Sequence, residues 1–159
     1  MNRARLSFGE MLSCAGGVLL LLATLLPWFQ REILTGLSGG SFEAGPGDIN
    51  AWQAFGIFTV VYLLVAAVPL WQAVRRVRDD MPARPQIHVA TGAVAVTLVL
   101  GGAALKLGNE TLAGPIDRIL STSAAGGLVV AALAALLIAV GGVSAMWGQR
   151  PVGHGRTSP

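Results

Sequence analysis

The chain has 159 residues, of which 53% are hydrophobic and 12% charged, and a formal net charge of +3. Soluble domains carry about 25% charged residues, so this composition excludes an ordinary water-soluble domain. The lone Cys14 excludes an internal disulfide and a thiolate metal cluster.

Four apolar stretches are long enough to cross a hydrocarbon core, for which about 20 residues are needed: 8–28, 51–71, 87–107 and 124–147. A lipid-exposed segment must satisfy its backbone polar groups internally, which leaves helices and closed barrels. Barrel strands alternate apolar with polar residues. Runs such as "GGVLLLLATLL" and "GGLVVAALAALLIAVGG" do not alternate. The expected fold is therefore all-α, a polytopic membrane protein with four transmembrane helices in one bundle spanning 1–147.

In the first segment, Arg3 and Arg5 precede the apolar run, but no small-residue cleavage site follows it and "LPWFQRE" reads as a membrane exit. The segment is expected to stay in the mature chain, with Cys14 as a small packing residue. Glu10 lies about one turn inside this helix, where an ionisable group is expensive and a functional role is the default. Pairing with Arg3, Arg5 or an arginine of the loop between helices two and three is the simpler reading.

The outer loop, 29–50, contains "EILT" and "SFEA" around a Gly/Ser turn, a pattern that predicts a small hairpin. Helix two then starts in "GDINAWQAFG". Asn50 is placed to cap it and Gln53, three residues on, to complete a capping box. Trp52 sits between them at headgroup depth, while Asp48 faces the outer loop. The rings of Trp52, Phe55, Phe58 and Tyr62 crowd the outer half of this helix, either filling the bundle centre or forming a face for another protein. Glu10, Trp28, Asp48, Asn50, Trp52, Gln53 and Phe55 are thus the candidate functional or loop-anchoring residues.

The loop "VRRVRDDMPARP" follows helix two. Arg3, Arg5, Arg75, Arg76, Arg78, Arg84, Arg150 and Arg156 share one side, against Arg31, Lys106 and Arg118 on the other. Lys and Arg are retained in the cytoplasm, so both termini are expected there and the protein in the cell's inner (plasma) membrane. These charges serve topology and anionic headgroups; a nucleic-acid partner is not expected. Trp28 and Trp52 at the outer ends and Trp71 and Trp147 at the inner ends read as an interfacial belt.

Small residues mark close helix approach in lipid. Gly9, Ser13 and Gly17 in helix one, Ala93, Thr97 and Gly101 in helix three, and Gly127, Ala131, Ala135 and Ala139 in helix four make such faces. They can pack the bundle, or join it to a second copy or another membrane protein. His88 reads as interfacial and Lys106 as a snorkelling residue. In the second outer loop, Pro115 with Ile116, Ile119 and Leu120 predicts a short interfacial helix. The tail 148–159 has no apolar face to bury and is expected to be disordered and cytoplasmic.

No HExxH, CxxC, P-loop or GxSxG occurs, so neither catalysis nor a cofactor or metal is expected. With the helices placed, "LLPWF" and "NAWQAFGIF" resemble a group of uncharacterised small four-helix membrane proteins of high-GC actinobacteria. The resemblance covers the chain in topology and those two motifs in residues; it implies a fold and a location, and no reaction. Glu10 is similar in placement to the proton-coupled carboxylate of small multidrug-resistance transporters, but in that family it lies deep in the span and the loops are very short. Claudin-type tetraspan proteins share the topology, yet this loop lacks their cysteine pair and W-GLW signature. The leading expectation is a non-enzymatic interaction or scaffold subunit; the alternative is a small proton-coupled transporter or channel using Glu10.

Overall fold

The structure, a computed structural model, describes residues 6–33, 47–79, 84–111 and 120–148. It is mostly helical, as composition predicts, with one small sheet at one end. The expected disordered tail and the residues Pro115, Ile116 and Ile119 of the expected interfacial helix lie outside the described residues, as does "SFEA".

Helix α1, Phe8–Ala23, starts on a capping box in which the Ser7 hydroxyl accepts from the Glu10 N–H and the Glu10 carboxylate accepts from the Ser7 N–H. It ends five residues before the expected boundary at Trp28. Pro27 has no N–H for a helix and disfavours helical backbone at Leu26. The Thr24 hydroxyl also turns back to the Leu21 carbonyl at 2.7 Å. Strand β1, Pro27–Ile33, follows.

Strand β2, Gly47–Asn50, pairs antiparallel with β1, placing Phe29 opposite Ile49 and Gln30 opposite Asp48. A hairpin of "EILT" and "SFEA" was expected in the first outer loop; the described pairing joins "PWFQREI", which takes in the "EI" of "EILT", to "GDIN", and "SFEA" lies outside the described residues. Leu120, expected in a helix, begins strand β3, Leu120–Ala124, which pairs antiparallel with the other edge of β1. The sheet order is β2-β1-β3. β1 is therefore the central strand, and its backbone groups find partners on both sides.

Helix α2, Ala51–Phe55, is capped as its sequence predicts, and Gly56 ends it with φ of 56°, a left-handed value that a β-carbon would strain. One 3₁₀ turn, Gly56–Phe58, leads into helix α3, Thr59–Asp79. The Thr59 hydroxyl donates to the Ala51 carbonyl at 2.9 Å and ties the two pieces across the break. Helix α3 runs two turns past Trp71. Helix α4, Pro85–Thr111, uses Pro85 as its first residue, where a missing N–H costs nothing. Helix α5 is Gly126–Trp147.

The stretch Ala51–Asp79 and helices α4 and α5 are long and apolar enough to cross a membrane, and α1 is a shorter apolar helix. α5 packs along α1 and α4, and α1 along α3, whereas the neighbours α3 and α4 touch more sparsely. Glycines set the closest approaches. A β-carbon on Gly16 would lie 2.7 Å from the Ala134 carbonyl oxygen, and one on Gly17 would lie 2.7 Å from that of Ala66. The Ser13 hydroxyl, fully buried, donates to the Ile138 carbonyl at 3.1 Å.

The small-residue faces expected on the first and fourth spans are packing faces. The one expected on the third is not: Ala93 and Thr97 are exposed. The buried residues of α4 are Pro85, His88, Thr91, Gly92, Ala95, Val99 and Ala103, also at helical spacing. Gly92 sits against the backbone of Ala139. Two stripes of small side chains run along this helix, and α5 takes the one with Gly92 and Ala95.

Candidate functional site at the sheet end of the bundle

Most of the candidate residues meet where the sheet joins the helices. Trp28 and Phe29 are both fully buried, although successive strand residues ordinarily point to opposite faces. The register of β1 on β2 skips Trp28, passing from the Pro27–Asn50 pair to the Phe29–Ile49 pair. A bulge of this kind re-aims a side chain, and here it sends two adjacent rings into the bundle.

Trp28 lies edge-on to Phe55 at 5.7 Å and to Tyr62 at 5.2 Å between ring centroids. Phe29 meets Phe55 at 6.1 Å, and Phe55 meets Tyr62 at 5.7 Å. Edge-on pairs at such separations add about 0.5–1.5 kcal/mol each beyond the area they bury. The polar atoms are also satisfied. The Trp28 Nε1–H donates to the Ala23 carbonyl at 2.6 Å, which also accepts from the Leu26 N–H at 3.1 Å in the turn that ends α1. The Tyr62 hydroxyl donates to the Leu98 carbonyl at 2.8 Å.

Trp28 is thus a core residue and not a member of an interfacial belt, because the bulge turns its ring inward. Trp52, Trp71 and Trp147 are exposed at 40%, 54% and 68%, as belt residues are. The rings of the second span divide: Phe55 and Tyr62 turn in, while Trp52 and Phe58 turn out. The Gly56 break causes this division by changing the helical phase between Trp52 and Phe58.

Asn50 and Gln53 form the predicted capping box, each side chain accepting from the other's N–H at 3.0 Å. Asp48 is exposed on β2, an edge strand. Capping and packing therefore account for Asn50, Gln53 and Phe55, and leave Asp48 and Trp52 presented outward.

Glu10 lies at the opposite end of the bundle. Its carboxylate is 4% exposed; one oxygen accepts from the Ser7 N–H at 2.7 Å and the other from the Arg76 guanidinium in α3. Pairing with Arg3, Arg5 or an arginine of the loop between helices two and three was the simpler reading; the partner is Arg76 of that arginine run, which lies within the last turns of α3. The Cys14 thiol donates to the Pro69 carbonyl at 3.4 Å, one turn further in.

His88 is 3% exposed, and its Nδ1 is the one buried side-chain polar atom without a partner among the described residues. The interfacial placement read from its position at the start of the span is corrected. Close packing of Gly142 against the backbone of His88 and Val89 draws this turn of α4 into the bundle. Among the described residues, no three metal-ligating side chains come together. Compared with protein-family models and with curated protein sequences, the chain matches none.

Proposed function

We propose that this chain is a four-span protein of the plasma membrane, with both termini in the cytoplasm, that acts as a non-enzymatic interaction or scaffold subunit. One observation carries the reading. The bulged Trp28, with Phe29, Phe55 and Tyr62, locks the β2-β1-β3 sheet onto the helix ends, making a rigid outer platform that displays Asp48 and Trp52.

Four spans are favoured because α1, though only about 24 Å long at ~1.5 Å per residue, runs beside α5 from end to end. Gly9 meets Ala145, Gly16 meets Ala134, and Pro27 meets Gly127. The arginine asymmetry then places the sheet outside and the Glu10–Arg76 pair inside. The motifs "LLPWF" and "NAWQAF" keep the resemblance to the actinobacterial four-helix group in view: Trp28 and Phe55, one from each motif, are in contact.

The transporter reading needs a carboxylate free to exchange a proton. Glu10 instead has one oxygen engaged by the Ser7 N–H and the other by the Arg76 guanidinium, which supports a structural role.

The test joins two measurements. A photo-crosslinking residue replacing Trp52 is expected to trap one discrete protein partner or a second copy in intact cells, whereas the same residue at lipid-facing Leu136 traps none. Purified protein in proteoliposomes is expected to carry no proton or ion flux. A flux that disappears in Glu10→Gln overturns the proposal in favour of the transporter.

A further inference from the structure

The seam between α3 and α4 is the loosest of those between side-by-side helices, and at its sheet end it opens into a cleft of about 490 Å³. Sites for small ligands occupy about 300–1,000 Å³ and combine apolar walls with a few polar groups. Here α2 contributes Phe55, the 3₁₀ turn Phe58 and α3 Tyr62, while α4 contributes Gly101, Gly102 and Lys106.

The adjacent glycines do different work. A β-carbon on Gly102 would lie 2.6 Å from the Tyr62 hydroxyl and 3.2 Å from the Phe55 ring, so this glycine lets the aromatic cluster form the cleft floor. A β-carbon on Gly101 would meet nothing within 4 Å among the described residues. Its missing side chain is part of the cleft volume.

The walls offer no free hydrogen-bonding group. The Tyr62 hydroxyl is committed to the Leu98 carbonyl, and the Thr97 hydroxyl donates to the Ala93 carbonyl at 2.9 Å. Lys106 is the one basic side chain among the described lining residues. It stands at the sheet end, where its apolar stem can follow the cleft and its ammonium reach headgroup depth. An ammonium is a compact donor suited to phosphate. An apolar slot with a cation at its mouth matches one amphiphile chemistry, an acidic head on an acyl chain.

We propose that the α3–α4 cleft is a binding site for one anionic phospholipid of the leaflet on the sheet side. Its acyl chain lies on Phe55, Phe58 and the surface opened by Gly101, and its phosphate is held by Lys106. The site is independent of the interaction role: it uses the membrane flank of the bundle, not the outer platform.

The test uses the full-length protein reconstituted in vesicles of equimolar phosphatidylcholine and phosphatidylglycerol, extracted gently and weighed by native mass spectrometry. The wild type is expected to retain one phosphatidylglycerol with a preference of about tenfold, the selectivity of one charge-assisted hydrogen bond. Lys106→Glu abolishes the preference and Lys106→Arg keeps it. Gly101→Phe, whose β-carbon meets nothing within 4 Å among the described residues and whose ring takes up cleft volume, is expected to lose the retained lipid while unfolding at the wild-type temperature. Equal retention of both lipids by the wild type, a preference that survives Lys106→Glu, or full retention in a folded Gly101→Phe protein overturns the proposal.

Discussion

The carboxylate of Glu10 in α1 and the guanidinium of Arg76 in α3 form an ion pair across 66 residues of sequence, with the carboxylate 4% and the arginine 22% exposed. The pair closes the bundle end opposite the sheet, where it fastens α1 to α3. Its local partner, Ser7, belongs to the helix cap, so one side chain serves both the start of α1 and its tertiary docking.

Removing one member of this pair strands the other. Arg76→Met leaves a buried carboxylate without its cation, and such losses cost about 3–5 kcal/mol. The exposed fraction of Arg76 places this case near the lower figure. Glu10→Gln keeps the Ser7 contacts and costs less, and the double variant recovers part of the Arg76→Met loss because no buried charge remains. Thermal unfolding in detergent of the three variants checks the order. Additive losses in the double variant would show that the two side chains act separately.

Trp28 is expected to matter in two separable ways. Trp28→Ala removes the ring that meets Phe55 and Tyr62 and destabilises by about 3–5 kcal/mol. Trp28→Phe keeps a ring but loses the hydrogen bond to the Ala23 carbonyl, which retains the Leu26 N–H, for about 0.5–1.5 kcal/mol. Both losses fall on the sheet, so hydrogen exchange at the β1 amides accelerates more than exchange in the middle of α5. Uniform acceleration throughout the chain would show that the cluster does not anchor the sheet in particular.

The glycines of the bundle predict opposite results for one chemical change. A β-carbon on Gly141 would lie 2.5 Å from the Gly9 carbonyl oxygen and 2.6 Å from the Ser13 amide nitrogen, both backbone atoms. Gly141→Ala is therefore expected to force α1 and α5 apart and destabilise by about 1–3 kcal/mol. Gly101→Ala meets open space and gains up to ~1 kcal/mol of helix propensity. Unfolding temperatures in the same detergent decide the matter, and equal effects at the two sites would contradict the packing described above.

The local part of the site was legible before the fold. Asn50 and Gln53 announce their capping box because both partners lie within one helical turn. The chance that Glu10 pairs with an arginine after helix two was also readable, since an intramembrane carboxylate needs a cation and few were near. The inward turn of Trp28 was not legible, because it depends on a bulge set by pairing with a strand some twenty residues away. Nor was the burial of His88, which follows from the fit of Gly142 against its backbone.

What the sequence by itself determined is a set of apolar helices: a chain with 12% charged residues and uninterrupted apolar runs can satisfy its backbone in lipid only through local i to i−4 bonds. Those bonds involve near neighbours, so composition and run length suffice to specify them. Tertiary structure alone decided which face of each helix is used. On α4, both the Ala93–Thr97–Gly101 stripe and the Gly92–Ala95–Val99 stripe have helical spacing, and lipid distinguishes weakly between them. The choice came from the shape of α5, whose Ala139 and Gly142 admit α4 along one stripe and leave the other facing the membrane.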